Sequence, residues 1–295
     1  MDLTKEIAKL LAEKEPHPVD ADGFTILECA GRVSVFPVPI DAGTPDDAAE
    51  KGSRFRSMLK RYEKDNADVK CIIVPEDLWR SENGPMQARL LAQFGTFRRI
   101  FARNTQACRI TRPEAAAFFD RCHTYGDAAS RYRYGLFTKD GELVAASSFS
   151  SGRTWNKDGK SVRSYEWIRY ASLPDTRVCG GMGKTLNAFI QDTAPDDIMS
   201  YSDMEWTDGT AYRRLGFKED GARAPVIFSI DPNTWKRTAL NRLERSADFQ
   251  GKPAAGSLYH QNLGSVKFRL AVTKERGKTC GIPASYVILH CDEQT

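Results

Sequence analysis

Residues 165–217 constrain this chain more than any other stretch. They read YEWIRYASLPDTRVCGGMGKTLNAFIQDTAPDDIMSYSDMEWTDGTAYRRLGF. The aromatic and aliphatic run Tyr165 to Ala171 predicts a buried strand. A polar turn at Pro174 and Asp175 follows. Gly180, Gly181 and Gly183 then lead into a helical pattern with Leu186, Phe189 and Ile190 on one face. Ile198 to Asp203 predicts a second strand, and a short helix ends in Tyr212-Arg213-Arg214-Leu215-Gly216-Phe217. Glycines between a strand and a helix have a physical use. Backbone N–H groups at the helix start can close on a phosphate, whose charge the helix dipole favours. The alternative is a tight turn without ligand, in which helix-start glycines cost stability.

The flanking sequence extends this alternation. Asp2 to Lys14 has helical spacing, with Ile7, Leu10 and Leu11 on one side. Phe24 to Leu27, Val33 to Val38 and Val69 to Val74 predict strands, and Ala48 to Asp65 and Pro85 to Phe94 predict helices. Ala107 to Ile110 predicts a strand. Thr111-Arg112-Pro113-Glu114 is a helix start, with Thr111 as cap and Glu114 in the first turn. That helix reaches about His123, and a short one is expected around Ala128. Tyr132 to Phe137 and Glu142 to Phe149 predict strands joined at Lys139-Asp140-Gly141, a hairpin signal. Pro225 to Ile230 predicts a last strand of the same sheet. Beyond it, Trp235 to Arg245 predicts a basic helix, and Val266 to Val272 and Ser285 to His290 predict strands.

Composition narrows the class. With 295 residues, 41% hydrophobic and 28% charged, the chain suits one large or two modest soluble domains. No apolar run reaches membrane-span length. MDLTKEIAKLLAEKEP is charged and amphipathic, unlike a signal peptide, so the expected location is the cytoplasm, with no membrane contact. The seven cysteines form no C-x-x-C pair, which argues against zinc, and no metal is expected. The net charge of +4 permits nucleic-acid binding without requiring it. The oligomeric state is not set by the sequence.

Gly181-Met182-Gly183-Lys184-Thr185-Leu186 resembles the second half of the acyl-CoA pyrophosphate loop of the GCN5-related N-acetyltransferases, the GNAT superfamily. That loop reads Q/R-x-x-G-x-G/A; here Val178 holds the Q/R place and Arg177 stands one residue early. Ala211-Tyr212-Arg213-Arg214-Leu215-Gly216-Phe217 resembles the superfamily's late A-x-Y-x-K-x-G-F signature. Glu166-Trp167-Ile168-Arg169, Ser200-Tyr201-Ser202-Asp203 and Gly209-Thr210-Ala211-Tyr212 resemble a narrower branch carried by phages. That branch includes Mom-type DNA adenine modification proteins and the acetyltransferase-like half of phage homing endonucleases. The likeness spans roughly Ile72 to Ile230. It implies an α/β (α+β) fold, a GNAT-like twisted mixed sheet flanked by helices over residues 106–232. The element order β-α-α-β-β-β-α-β-α-β-β agrees with that fold. A smaller N-terminal α/β region, similar to the end of a nuclease half, would occupy 1–105, and a basic extension 233–295.

The resemblance further implies an acyltransferase that uses acetyl-CoA or another acyl-CoA and acts on an amine, with a nucleobase of DNA or RNA as the phage-type acceptor. It places the donor against Arg177, Val178, Cys179, Gly180, Gly181, Met182, Gly183 and Lys184, with Lys184 reaching a 3′-phosphate or lying exposed. Tyr212 matches the tyrosine that protonates the departing thiolate, a transfer a phenol can make; otherwise it is a core tyrosine. Asp203, at a strand end, deprotonates or orients the amine, or forms a structural pair with an arginine. Glu166 and Arg169 are three apart in a strand and so face opposite sides. His123 is a base or a helix C-terminal cap. Glu76 and Asp77 are remnants of a nuclease site or surface acids in a turn. Lys236, Arg237, Arg242, Lys267 and Arg269, with Tyr259, His260 and Phe268 among them, suit a nucleic-acid backbone and unpaired bases, or a solvated surface. The alternative function is a non-catalytic nucleic-acid-binding protein that keeps the fold.

Overall fold

The structure is a computed structural model and describes residues 2–81, 83–157, 159–240 and 256–272. The chain forms two units. The first gathers Met1–Gly95, Asp203–Asp208 and Ala222–Ser265; the second gathers Thr96–Ser202, Gly209–Gly221 and the stretch from Val266.

In the first unit, Asp2 caps helix α1 (Leu3–Leu10) by accepting from the Thr4 and Lys5 N–H groups. Strands β1 (His17–Ala21), β2 (Phe24–Cys29) and β3 (Val33–Val38) follow, antiparallel in that order. Thr44 caps α2 (Pro45–Asp65), with the proline at the helix start, where its missing N–H costs nothing. Strand β4 (Lys70–Pro75) then pairs with β3 in parallel. Every residue of β3 is buried, because both of its faces are covered. Val33 and Val35 join a cluster with Ile7, Trp79 and Leu90. Phe36 and Val38 join another with Phe55 and Leu59 of α2. Helices α3 (Glu76–Ser81) and α4 (Asn83–Gln93) close this segment.

The second unit begins with β5 (Arg98–Phe101) and β6 (Thr105–Arg109). The expected cap of α5 (Arg112–Cys122) is present as a reciprocal capping box between Thr111 and Glu114. Residues 124–131 form a loop, not the short helix expected around Ala128; Gly126 within it has φ +57°. Strands β7 (Tyr132–Thr138) and β8 (Leu143–Phe149) form the expected hairpin. Next come β9 (Arg153–Lys157), β10 (Lys160–Ser172), β11 (Thr176–Cys179), α6 (Gly181–Thr193), β12 (Asp197–Asp203), α7 (Thr210–Arg214) and β13 (Lys218–Arg223). Phe149 and Phe189 stack with ring centroids 4.0 Å apart, beside buried Trp167 and Phe268. Burial of side chains this large is worth about 1.5–3 kcal/mol each.

The last strands divide between the units. β14 (Ile227–Ile230), β15 (Arg237–Ala239) and β16 (Leu258–Gln261) form a three-stranded sheet in the first unit. β17 (Ser265–Ala271) instead enters the mixed sheet of the second, whose order is β13-β17-β12-β10-β8-β7-β6 with β9 on β10. The architecture is therefore the expected mixed α/β, but the strand expected to close its sheet, Pro225 to Ile230, is not part of that sheet: Ile227–Ile230 pairs with β15 and β16 instead, and the place beside β12 is taken by β17. Residues 237–239 are strand rather than basic helix. Arg242, the rest of that helix, and the Ser285 to His290 strand lie outside the described residues.

Four polar side chains join the separate segments of the first unit. Arg237 meets Asp77 through two nitrogens, one at 2.7 Å, and Glu205 at 3.0 Å. The other oxygen of Glu205 meets His260 Nε2. Asp77 is 0% exposed and Glu205 3%. Asp77 is thus no surface acid, and Glu76 is engaged by Arg80 at 3.2 Å. Among the described residues no helix is long and apolar enough to cross a membrane.

Candidate active site

The site is built where two neighbouring strands of the second unit part. β10 and β12 pair in parallel only from Ser164–Asp197 to Glu166–Met199. Past that point β10 stays with β8 as far as Ser172, through a bulge between Trp167 and Arg169. β12 continues on its own course to Asp203. Across the widening gap, Ser200 Oγ lies 2.9 Å from the Trp167 carbonyl oxygen and 2.9 Å from the Tyr212 hydroxyl. A bulge re-aims side chains and ends local pairing, which suits the floor of a site.

The bulge also corrects the strand arithmetic. Its extra residue places Glu166 and Arg169 on one face instead of two, and the Glu166 carboxylate is among the charges acting on Arg169. Arg169 donates through Nε to the Gly126 carbonyl and through a terminal nitrogen to the Ile168 carbonyl, both at 3.1 Å.

Tyr212 is held by aromatic packing. Gly209, the residue before α7, has φ +79°, and a Cβ there would lie 2.4 Å from the Phe268 ring. Only glycine meets both conditions. Phe268 in turn stacks on Tyr212, with centroids 5.2 Å apart and planes 19° from parallel. Burial pushes the Tyr212 phenol above its ordinary range, while the Ser200 hydrogen bond and the Arg169 charge pull it part of the way back. The phenol therefore keeps its proton at neutral pH.

Downstream of β11, Gly180 turns the chain at φ +82° into α6. Lys184 N–H makes the helical bond to the Gly180 carbonyl. The N–H groups of Gly181, Met182 and Gly183 come earlier in the helix, where the ladder supplies no acceptor. Two buried polar ties fix this helix end. Ser147 and Thr185 share a 2.7 Å hydroxyl contact, and the Lys184 ammonium donates to the carbonyls of Ala102, at 3.0 Å, and Thr105. The expectation that Lys184 reaches a phosphate is corrected here: its ammonium points into the unit and is occupied. Val178 is buried in the core. Arg177 lies over the Phe97 ring at 5.4 Å, and Cys179 is a free thiol. A Cβ on Gly181 would sit 2.4 Å from the Tyr170 hydroxyl, so that glycine is required by packing alone.

Other expected residues are placed differently. Asp203 belongs to the first unit by its segment, and its carboxylate accepts the Glu205 N–H at 2.9 Å. His123 caps α5, and its Nδ1 accepts the Tyr125 N–H at 3.1 Å. Burial and then the Arg169 charge press its pKa down to about 3, so it is neutral. Of the cations read as a nucleic-acid surface, Arg237 is buried between two carboxylates. Lys267 pairs with Asp220, and Arg269 with Asp220 and Asp197. Lys236 is exposed. Sequence reasoning missed Ser200 and the Trp167 carbonyl. Both stand inside the stretches that carry the phage resemblance, Glu166 to Arg169 and Ser200 to Asp203, but neither was singled out there.

No family model matches the chain, and no curated protein matches it. Several solved structures are similar. One is a Bacillus subtilis acetyltransferase in complex with CoA, at 14% identity over 57% of this chain and 99% of that one, TM-score 0.37. Another is the ribosomal-protein-S18-alanine N-acetyltransferase of Escherichia coli, at 13% identity over 58% and 96%, TM-score 0.38. A third is a spermidine/spermine N-acetyltransferase of Vibrio cholerae, at 9% identity over 58% and 94%, TM-score 0.36. At such identities the functional reading is left to the residues themselves.

Proposed function

We propose that this chain is an acyltransferase that moves an acyl group from acetyl-CoA or another acyl-CoA to an amine. The observation that supports it most is the parting of β10 and β12 around the Tyr212–Ser200 hydroxyl pair. Strands that stop pairing release backbone N–H groups from the ladder, and an N–H there can polarise a thioester carbonyl. Acyl-CoA, when bound, supplies an activated thioester. The chain does the rest. The N–H groups of Gly181, Met182 and Gly183 hold the diphosphate at the positive end of α6. The Tyr212 phenol holds a proton for the leaving thiolate, and Ser200 orients that phenol. The phage resemblance points to a nucleobase as acceptor. Since Arg237, Lys267 and Arg269 are engaged by carboxylates, the proposal specifies an amine and not a nucleic-acid backbone.

Native mass spectrometry of freshly purified protein tests the donor; a bound CoA mass is the expected result. Met182→Glu gives the residue-level test. Met182 is partly exposed at the first turn of α6, where a carboxylate suits the helix dipole, so the fold should hold. The same charge repels a diphosphate. CoA affinity is expected to fall about tenfold or more by calorimetry, the scale of one unfavourable charge contact. Unchanged affinity removes the α6 cradle from the proposal. Gly183→Glu is a poorer probe, because Gly183 is buried and its Cβ would lie 3.3 Å from Leu215.

A further inference from the structure

Strand β10 overshoots the mixed sheet. It pairs with β12 from Ser164 and with β8 from Trp167, so Lys160 to Arg163 have β9 alone beside them. β9 and this end of β10 therefore form a two-stranded ribbon beyond the sheet. Its base is tied down. The Arg163 N–H donates to the Asp196 carboxylate at 2.8 Å, and its guanidinium to the carbonyls of Thr193 and Ala194, at 2.6 and 2.7 Å, where α6 ends. The ribbon itself is open to solvent: Arg153, Thr154, Trp155, Asn156, Lys160 and Ser161 are all exposed. Trp155 is 54% exposed, more than any other large apolar side chain among the described residues. The register sorts the side chains. Trp155 is the cross-strand partner of Val162, and alternation puts Arg153 and Lys160 on the same face, one to either side of the indole and about 7 Å from it along the ribbon. Neither cation has an ion-pair partner among the described residues.

We propose that the β9–β10 ribbon binds a single strand of nucleic acid, with a base stacked on Trp155 and phosphates on Arg153 and Lys160. The proposal is independent of the acyltransferase reading. It is also independent of Arg237, Lys267 and Arg269, which carboxylates engage. The sequence of chemistries on one face selects the class. A flat ring set between two uncompensated cations matches a ligand in which rings and anions alternate. A single strand is such a ligand, since each nucleotide carries one base and one phosphate. In a duplex the bases are stacked on one another and offer the indole no free face. An acidic peptide would use the cations and leave the ring without a partner. An anionic lipid surface takes up a broad apolar face, whereas Thr154, Asn156 and Ser161, on the other side of the ribbon, are polar.

The test is fluorescence anisotropy of the full-length protein with a labelled oligothymidine, repeated over a range of salt concentrations. The strand should bind saturably, and a duplex of the same length about tenfold more weakly or worse. Trp155→Ala should weaken the strand about tenfold, the scale of one lost stack, and Trp155→Phe, which keeps a ring face, should recover most of the loss. Arg153→Ala and Lys160→Ala should each weaken binding and each lower the slope of log affinity against log salt by about 0.7, one phosphate contact. All three side chains are exposed, so melting temperature and CoA affinity should stay those of the parent. The proposal is overturned if no strand binds, if duplex and single strand bind alike, or if the three variants bind like the parent, which would put the strand elsewhere on the chain. It is equally overturned if polyglutamate or anionic lipid vesicles bind as tightly and lose as much in Trp155→Ala. Strand binding without CoA binding would instead overturn the acyltransferase reading and leave the ribbon's role standing.

Discussion

Replacing Tyr212 with phenylalanine lowers turnover by about 10²–10⁴ and leaves CoA affinity and melting temperature near those of the parent. The expectation follows from what the substitution keeps. The ring still stacks on Phe268 and still meets Trp167 and Phe217 edge-on. Ser200 retains the Trp167 carbonyl as an acceptor, so no buried donor is orphaned. Only the proton for the leaving group is lost. Because burial raises the phenol pKa, this acid stays protonated as pH rises into the ordinary phenol range, and Tyr212 should impose no loss of rate in the pH 7–9 region. Thiol release followed with a chromogenic disulfide reads both effects. Full activity of Tyr212→Phe would sink the mechanism.

Much of the second unit was legible in sequence because its signals are local. The capping box at Thr111 and Glu114, the hairpin glycine at Gly141, and the apolar face of α6 all lie within a few residues of what they specify. The site was only partly legible because its geometry depends on a bulge. One extra residue at Ile168 reverses the face of Arg169, and nothing in the run of residues announces it. Lys184 misleads for a similar reason. Its charge suggests exposure, yet two carbonyls from residues 102 and 105 give it a buried destination that spacing cannot show. The cations of the C-terminal stretch were read as a group because they are close in sequence. Asp77, Glu205, Asp197 and Asp220, which neutralise three of them, come from distant segments. Likewise Val266 to Val272 reads as a strand, but its choice of the mixed sheet over the sheet of β14 is non-local.

Arg237→Met should destabilise the first unit by about 3–5 kcal/mol. The arginine is the shared counter-charge for Asp77 and Glu205, both nearly without solvent access. Its removal leaves two buried carboxylates without their shared counter-charge. For a unit of this size that corresponds to a fall in melting temperature of about 10 °C, read by differential scanning calorimetry. Adding Asp77→Asn to Arg237→Met should recover part of the loss, because the amide needs no counter-charge; no recovery would locate the cost in packing instead. Acid gives an independent check. His260 and Arg237 overcome the burial penalty and hold the Glu205 carboxyl down, from 4.5 to about 2. A depressed carboxylate contributes stability above its unfolded pKa and loses it as pH falls through the folded one. The first unit should thus weaken between about pH 4.5 and 2, followed by fluorescence of Trp79, Trp206 and Trp235. That slope should flatten in Arg237→Met.

The route of the chain has a consequence for biosynthesis. It leaves the first unit after Gly95, returns at Asp203 and again at Ala222, and reaches β17 only after building β14 to β16. While a ribosome is still translating the interval between Gly221 and Ser265, β12 has β10 on one side and an unfilled edge on the other. Tyr212 then has no Phe268 to lie against. An open, apolar strand edge is a template for pairing with another nascent chain. A release or proteolytic nick in that interval should therefore yield an aggregate rather than a smaller active fragment. Supplying residues 256–272 as a separate peptide, to fill the edge from outside, is the matching rescue.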